Sequence, residues 1–465
     1  MNPKYKYLIK NTGILTISNF SSKLLVFFLV PLYTGVLTPA EYGIYDLIVS
    51  TVSLLLPILT LNIVDGVMRF SFDKNYSQSD VASVGFRYSF IGFALFALLI
   101  YANKILQIFP QINGIEWLVI AYMFSQIFVH YFTQLAKGLE KVFDMGIAGI
   151  LGTLTAVTLN IYFLLYLKLG FHGFFLAGII SSLSQILYYS FKLKVWDFIN
   201  LFCINKTLSK SMLIYSTPLI FTVLGWWVNS TADKYIVTLF CGIASNGLLA
   251  ISYKIPTIIN TVQSIFMQAW QISAIKEYEN GDDFFKLMFD YYNLLMCITC
   301  SILIMLTRPL ASFLFAKDFY QAWQYVPLLL VCSVLSGAAG FIGPILSAQK
   351  DSKTMAKSAV YGSITNVILN FLLTYYYGIQ GAVIATVISS YVMYIIRKKA
   401  TGNKIKSTIY TSSIVCWLLL IIQSFIEIYI NNYLYQFLIF TSILILLRQP
   451  MQKAISKISN RITTK

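Results

Sequence analysis

Charged side chains stand within or at the ends of long apolar runs, among them Lys23, Asp46, Asp65, Arg69, Arg87, Asp233, Lys234 and Lys254. An ionised group at the centre of a bilayer costs about 2.5–3.5 kcal/mol on insertion scales, so each needs a partner or a task. Lys23 lies in NFSSKLLVFFLVP, too deep for its ammonium to reach a membrane surface easily, and Lys254 is followed closely by Pro256. Lysine can meet a phosphate as a point charge, and arginine with two parallel hydrogen bonds. Lys23, Lys254, Arg87 and Lys234 therefore form the candidate set for an anionic ligand, a diphosphate in particular. Asp46, Asp65 and Asp233 are the candidate carboxylates for ion coupling. Asp65 and Arg69, four residues apart, read as a structural ion pair near the membrane edge. Asp233 and Lys234 are adjacent, so on a helix they face different partners.

The elements that must carry these charges are membrane-spanning helices. Of the 465 residues, 58% are hydrophobic and only 11% charged, far from the roughly 25% charged of soluble domains. Runs long enough to cross a bilayer fall at 12–37, 43–68, 83–101, 117–136, 145–168, 171–191, 212–238, 244–272, 287–307, 325–348, 358–377, 380–396, 408–426 and 430–447. The runs are continuous rather than alternating, which excludes a membrane β-barrel. The expected fold is all-α, with about 14 transmembrane helices. Lys4, Lys6 and Lys10 precede the first run, but its length and lack of a cleavage site make it a span rather than a leader.

The net charge of +16 reflects topology. With the N-terminus inside, 26 of the 34 lysines and arginines fall at the inner face, and only Lys104, Lys168, Arg308 and Lys317 at the outer. Both termini are then cytoplasmic. The basic tail from Arg448 to Lys465 is an anchor at anionic headgroups, and no nucleic acid is implied. Cys297 and Cys300 make a CxxC within a span, where they read as small packing residues. His130 and His172 have no neighbouring ligands in sequence, so no metal and no cofactor are expected.

An internal repeat organises the runs. LTAVTLN (154–160) matches ITNVILN (364–370), GFHG (170–173) matches GIQG (378–381), and IISS (179–182) matches VISS (387–390). TPAEYGIYDL (38–47) matches GIASNGLLAI (242–251) more weakly. Spans 1–6 and 7–12 are thus two copies. An even number of spans per copy makes them parallel repeats, with a binding site expected between them. The expected divisions are an N-terminal lobe at 1–197, a C-terminal lobe at 198–399, and spans 13–14 with the tail at 400–465. Pro31, Pro57, Pro218 and Pro256 fall in spans 1, 2, 7 and 8, where loss of a backbone donor kinks a helix. Trp226, Trp227 and Trp270 are large enough to stack on sugar rings, though packing is the favoured reading for any one of them.

The stretches NFSSKLLVFFLVPLYTGVLTPAEYGIYDL (19–47), PILTLNIVDGVMRFSFD (57–73) and STADKYIV (230–237) resemble the Wzx-type polysaccharide repeat-unit flippases of the MOP exporter superfamily. That superfamily also holds the MATE drug antiporters and the lipid II flippases. The resemblance implies a bilobed helical bundle with a central cationic cavity in the bacterial cytoplasmic membrane. It implies transfer of undecaprenyl-diphosphate-linked glycan units to the outer leaflet by alternating access, for capsule, exopolysaccharide or O-antigen. The implied partners are that lipid-linked glycan, the bilayer, and the polysaccharide polymerase and other assembly proteins. A MATE-type antiporter would more naturally have twelve spans and a carboxylate-dominated cavity. A lipid II flippase shares both the span count and the anionic lipid. A membrane enzyme would need clustered His or Asp on an outer loop, and the outer stretches are short. No phosphate-binding Gly-x-x-x-x-Gly-Lys loop is present, so a transporter, not an enzyme, is expected.

Overall fold

The computed structural model describes residues 25, 27–73, 75–200, 205–276, 282–349, 351–401, 409–448 and 452. Described residues form helices and turns, with no strand among them. Helices α1 (Val30–Val36), α2 (Pro39–Leu59), α3 (Ile63–Phe70), α4 (Gln78–Leu106), α5 (Glu116–Gly138), α6 (Val142–Ile161), α7 (Gly170–Lys192), α8 (Val195–Phe198), α9 (Lys206–Ser216) and α10 (Leu219–Cys241) follow one another. Then come α11 (Ile243–Ser252), α12 (Thr257–Lys276), α13 (Asp282–Met305), α14 (Thr307–Leu314), α15 (Val326–Ala348), α16 (Ser352–Ala400), α17 (Ile409–Phe425) and α18 (Tyr433–Leu446). A π-helical turn extends α6 (Tyr162–Tyr166) and another extends α17 (Ile426–Ile430).

Ten helices among the described residues are long and apolar enough to cross a membrane. That makes the chain a multi-pass membrane protein. The expected spans are modified in several places. Expected span 2 is broken into α2 and α3, expected span 7 into α9 and α10, and expected span 8 into α11 and α12. Expected spans 11 and 12 run together as α16, kinked at Gly378, where φ is 58°.

Helix ends follow local chemistry. The Thr38 hydroxyl accepts from the Glu41 N–H at 3.3 Å, while Glu41 Oε2 accepts from the Thr38 N–H at 2.8 Å. This reciprocal cap, with Pro39 next to it, starts α2. Asp351 starts α16 by accepting from the Thr354 N–H at 3.0 Å. The hydroxyl and then the backbone N–H of Thr354 hold its carboxyl below the usual range. Pro218 and Pro256 fall in the breaks between α9 and α10 and between α11 and α12, and Pro31 lies in the first turn of α1. Pro57 sits inside α2, three residues before the turn that ends it.

The chain divides into two units, Met1–Trp227 and Val228–Lys465. Within the first, α5 is the central helix. Its Tyr131 hydroxyl donates to the Ala82 carbonyl of α4 at 2.8 Å, and its Gln126 amide to Ser182 of α7 at 3.1 Å. Within the second, α15 is central and 83% of its spanning window is buried, against 56% for α5. Trp270 of α12 stacks on Phe341 of α15 at 4.2 Å and donates to its carbonyl at 2.8 Å. Trp270 is thus a packing residue, 3% exposed, and offers no face to a sugar.

Both matched hairpins close on the same contacts, which supports the internal repeat. Gly170 and Gly378, the first glycines of the paired Gly-x-x-Gly turns, adopt φ of 53° and 58°. A methyl on Gly173 would stand 3.0 Å from Phe163, and one on Gly381 would strike the carbonyl of Leu373, the residue aligned with Phe163. Gly152 lies against Gln185, and its counterpart Gly362 against Met393, the residue aligned with Gln185. Small residues at these points let two helices approach closely enough to pack.

Candidate functional site

The break between α11 and α12 is where charge and irregular backbone meet. Pro256 has no N–H to offer the Ser252 carbonyl, so the regular ladder fails over Tyr253–Pro256. Tighter bonds replace it, with the Lys254 N–H donating to the Ile251 carbonyl at 2.9 Å. Irregular backbone at membrane depth is stable only where it faces protein or a polar cavity. Tyr253, beside Lys254 in this break, reaches one of the expected charges, Asp233. The Tyr253 hydroxyl donates to Asp233 Oδ2 of α10 at 2.8 Å, and the Lys234 N–H donates to Asp233 Oδ1 at 3.0 Å. Asp233 is buried, while Lys234 and Lys254 are half-buried. Asp233 and Lys234 of α10 thus lie in the second unit with Lys254 of the break that Tyr253 ties to α10. Such a set can bind an anion or exchange a proton or cation at the aspartate.

The first unit carries the other expected residues. A turn at Leu61 and Asn62, both with positive φ, separates α2 from α3. Just beyond it, Asp65 accepts from Asn62 Nδ2 at 2.8 Å and from Gln134 Nε2 of α5 at 3.1 Å. The expected Asp65–Arg69 ion pair is therefore not the arrangement adopted: two neutral amides hold the carboxylate, and Arg69 is exposed. The amides come from the α2–α3 turn and from central α5, so they reach Asp65 without dehydrating a guanidinium. Asp46, half-buried on α2, belongs to an aromatic region. There Tyr33 and Tyr42 stack at 5.5 Å and Tyr45 meets Phe174 at 4.7 Å. Lys23 lies outside the described residues.

Arg87 has a largely aromatic setting. It lines a groove of about 640 Å³ between α4, α5 and α7, with Phe86, Phe90, Phe124, Phe128 and Phe132. Trp227 donates from Nε1 to the Ser50 carbonyl at 2.9 Å, and Trp226 is 66% exposed.

Several buried charged groups escaped the sequence reading, Asp290 of α13 and Asp144 of α6 among them. Glu427, 1% exposed, lies in the π-helical turn after α17, with Oε1 at 3.3 Å from Arg308 Nε. Arg308 Nη2 also donates to the Glu427 carbonyl at 3.0 Å, and its guanidinium sits 4.0 Å over the Trp323 ring. Gln436 of α18 donates to Glu427 Oε2 at 3.0 Å. Span 13 therefore runs past residue 426, and Arg308 is engaged in an ion pair. Arg397, 6% exposed on α16, donates to Ser358 Oγ at 2.9 Å and to the Ala339 carbonyl at 2.9 Å.

Known proteins share this architecture. An inward-facing multidrug resistance MATE transporter of the MOP superfamily aligns with a TM-score of 0.68 at 13% identity, over 84% of this chain and 99% of its own. The lipid II flippase MurJ in an inward closed conformation aligns with a TM-score of 0.66 at 16% identity, over 95% of this chain and 99% of its own. A MATE transporter of Vibrio cholerae in a bent form aligns with a TM-score of 0.52 at 18% identity, over 86% of this chain and 97% of its own. The fold is therefore that of the MOP superfamily. No curated protein matches. A family model described as "Polysaccharide biosynthesis protein" matches residues 8–271, a segment that holds the broken second and eighth spans and the charged cluster between them in sequence. On that match over more than half its length, the chain belongs to the polysaccharide biosynthesis protein family.

Proposed function

We propose that this protein is a flippase that moves undecaprenyl-diphosphate-linked oligosaccharide repeat units from the inner to the outer leaflet of the bacterial cytoplasmic membrane. The observation that carries this reading is buried Asp233, next in sequence to Lys234 and held by Tyr253 beside Lys254 at the broken eighth span, in a chain of the polysaccharide biosynthesis family. In this reading Lys254, Lys234 and Lys23 hold the diphosphate, the sugars occupy water-filled space, and the prenyl tail stays in lipid. Asp233, with Asp46 and Asp65, is the candidate for coupling to a proton or sodium gradient. Both termini lie in the cytoplasm, and the polysaccharide polymerase receives the product.

Deleting the gene in the native host tests the proposal. The expected result is loss of surface polysaccharide with build-up of an undecaprenyl-linked repeat unit at the cytoplasmic face. Unchanged surface polymer with altered sensitivity to cationic drugs would overturn it in favour of an antiporter. A second reading, lipid II transfer, is favoured by the alignment with MurJ over 95% of the chain. Rescue of a strain depleted of its lipid II flippase would establish that alternative.

A further inference from the structure

The two units treat corresponding grooves differently. In the second unit, α17 covers the face formed by α13, α15 and α16, the third, fourth and sixth spans of that repeat. The cover is fixed by polar contacts. Asn293 Nδ2 donates to Ser413 Oγ at 3.1 Å, Trp417 Nε1 donates to Asn293 Oδ1 at 2.9 Å, and Ser301 Oγ donates to Gln423 at 2.7 Å. Trp417 also meets Tyr394 of α16 edge-on at 4.9 Å. The matching face of the first unit lies between α4, α5 and α7. Among the described residues it forms an open groove of about 640 Å³ that contains Arg87 and is lined by α4, α5, α7 and Val195 of α8.

The chemistry of this groove suits an acyl chain rather than another helix. Where span 9 offers Asn293 and Ser301 to its covering helix, span 3 offers Phe86, Phe90 and Ile91. Phe124, Phe128 and Phe132 stand one turn apart along about 12 Å of α5, most of the roughly 15 Å hydrocarbon depth of one leaflet. The polar side chains of the lining are Arg87 and Ser190. They lie near the end where α7 stops, since Val195 lines the same groove. Beside it stand Lys194 and the exposed Trp196, whose ring meets Phe191 edge-on at 5.4 Å. A tryptophan and basic residues at one end of an apolar channel mark headgroup level. A guanidinium there matches the phosphate of an anionic lipid with two parallel hydrogen bonds.

We infer that the groove between α4, α5 and α7 is a binding site for an anionic phospholipid, with an acyl chain along the phenylalanines and the phosphate at Arg87. This site lies within the first unit and shares no residue with the Asp233–Lys254 cluster, so the inference holds whichever substrate is carried.

Photolabelling of the full-length protein decides the matter. The protein is placed in phosphatidylcholine nanodiscs that contain a small fraction of phosphatidylglycerol with a diazirine on one acyl chain. Label is expected on peptides covering residues 86–91 and 124–132. Unlabelled phosphatidylglycerol should suppress it, and unlabelled phosphatidylcholine should not. Arg87→Gln should reduce it about tenfold, the scale of one charge-assisted contact. Equal labelling by a diazirine phosphatidylcholine would overturn the inference, leaving only unselective boundary lipid. Displacement of the label by a trace of undecaprenyl diphosphate would also overturn it, making the groove a substrate portal. So would native-membrane cross-links from the groove to a helix of another protein. If Arg87→Gln fails to fold, the competition with the unaltered protein still decides.

Discussion

At the scale of single residues, the break at Tyr253–Pro256 makes Lys254 the side chain on which the proposed function most directly depends. It needs positive charge at that depth, and arginine supplies the same charge with more donors. Lys254→Ala should therefore abolish restoration of surface polysaccharide in the deletion strain, with the variant present in the membrane at normal level. Lys254→Arg should restore most of it. Full activity of the alanine variant would remove Lys254 from the site. The Arg308–Glu427 pair calls for a stability measurement instead. Glu427 is 1% exposed and Arg308 25%, so removing Arg308 is the change that leaves a buried charge without its counter-charge, at about 3–5 kcal/mol. Arg308→Ala should thus lower the thermal midpoint in detergent sharply. The double change Arg308→Leu with Glu427→Leu should recover most of that loss. A double variant no more stable than the single one would mean the pair serves something other than packing.

At the scale of elements, the paired hairpins make the clearest case. In each, the second glycine of Gly-x-x-Gly lets the returning helix settle on the one before it. The two positions differ in what a methyl group would strike. At Gly381 it would meet the Leu373 carbonyl and come within 2.8 Å of the Thr374 nitrogen, and backbone cannot step aside. At Gly173 the nearest atoms are the Cβ atoms of Leu169 and Phe163 at 2.8 and 3.0 Å, a shallower clash although rotation cannot relieve it. Gly381→Ala should cost about 1–3 kcal/mol, the range for overpacked interiors, and Gly173→Ala clearly less. Thermal unfolding of the two variants side by side checks the order. Equal midpoints would show that the α16 kink relaxes to admit the methyl group.

At the scale of the whole molecule, the sequence was readable where length and periodicity act and opaque where three-dimensional contact does. Apolar run length marked the spans, and the repeat at Gly170 and Gly378 was visible because turn chemistry leaves glycines in place. The breaks near Pro57 and Pro256 were half legible: proline marks a weakened ladder but not where it gives way. Asp65 was given the wrong partner because spacing along one helix cannot reveal Gln134 on another. Glu427 was missed because a lone carboxylate after an apolar run reads as a loop residue, and nothing in sequence announces a π-helical turn that carries it inward. That omission concealed how the last two spans are held. Asn293, Ser301 and Arg308 each find partners in α17 or the turn that follows it. In lipid without those partners, each would be an unsatisfied polar group. A chain ending after Thr401 should therefore give little monodisperse protein in detergent. The same truncation carrying Asn293→Leu, Ser301→Ala and Arg308→Leu should recover a monodisperse peak, because the uncovered face then becomes an ordinary lipid-facing surface. Size-exclusion profiles of the two truncated chains separate the cases. A well-behaved unmodified truncation would show that spans 13 and 14 are not needed to satisfy this face, and would shift attention to what else they contribute to transport.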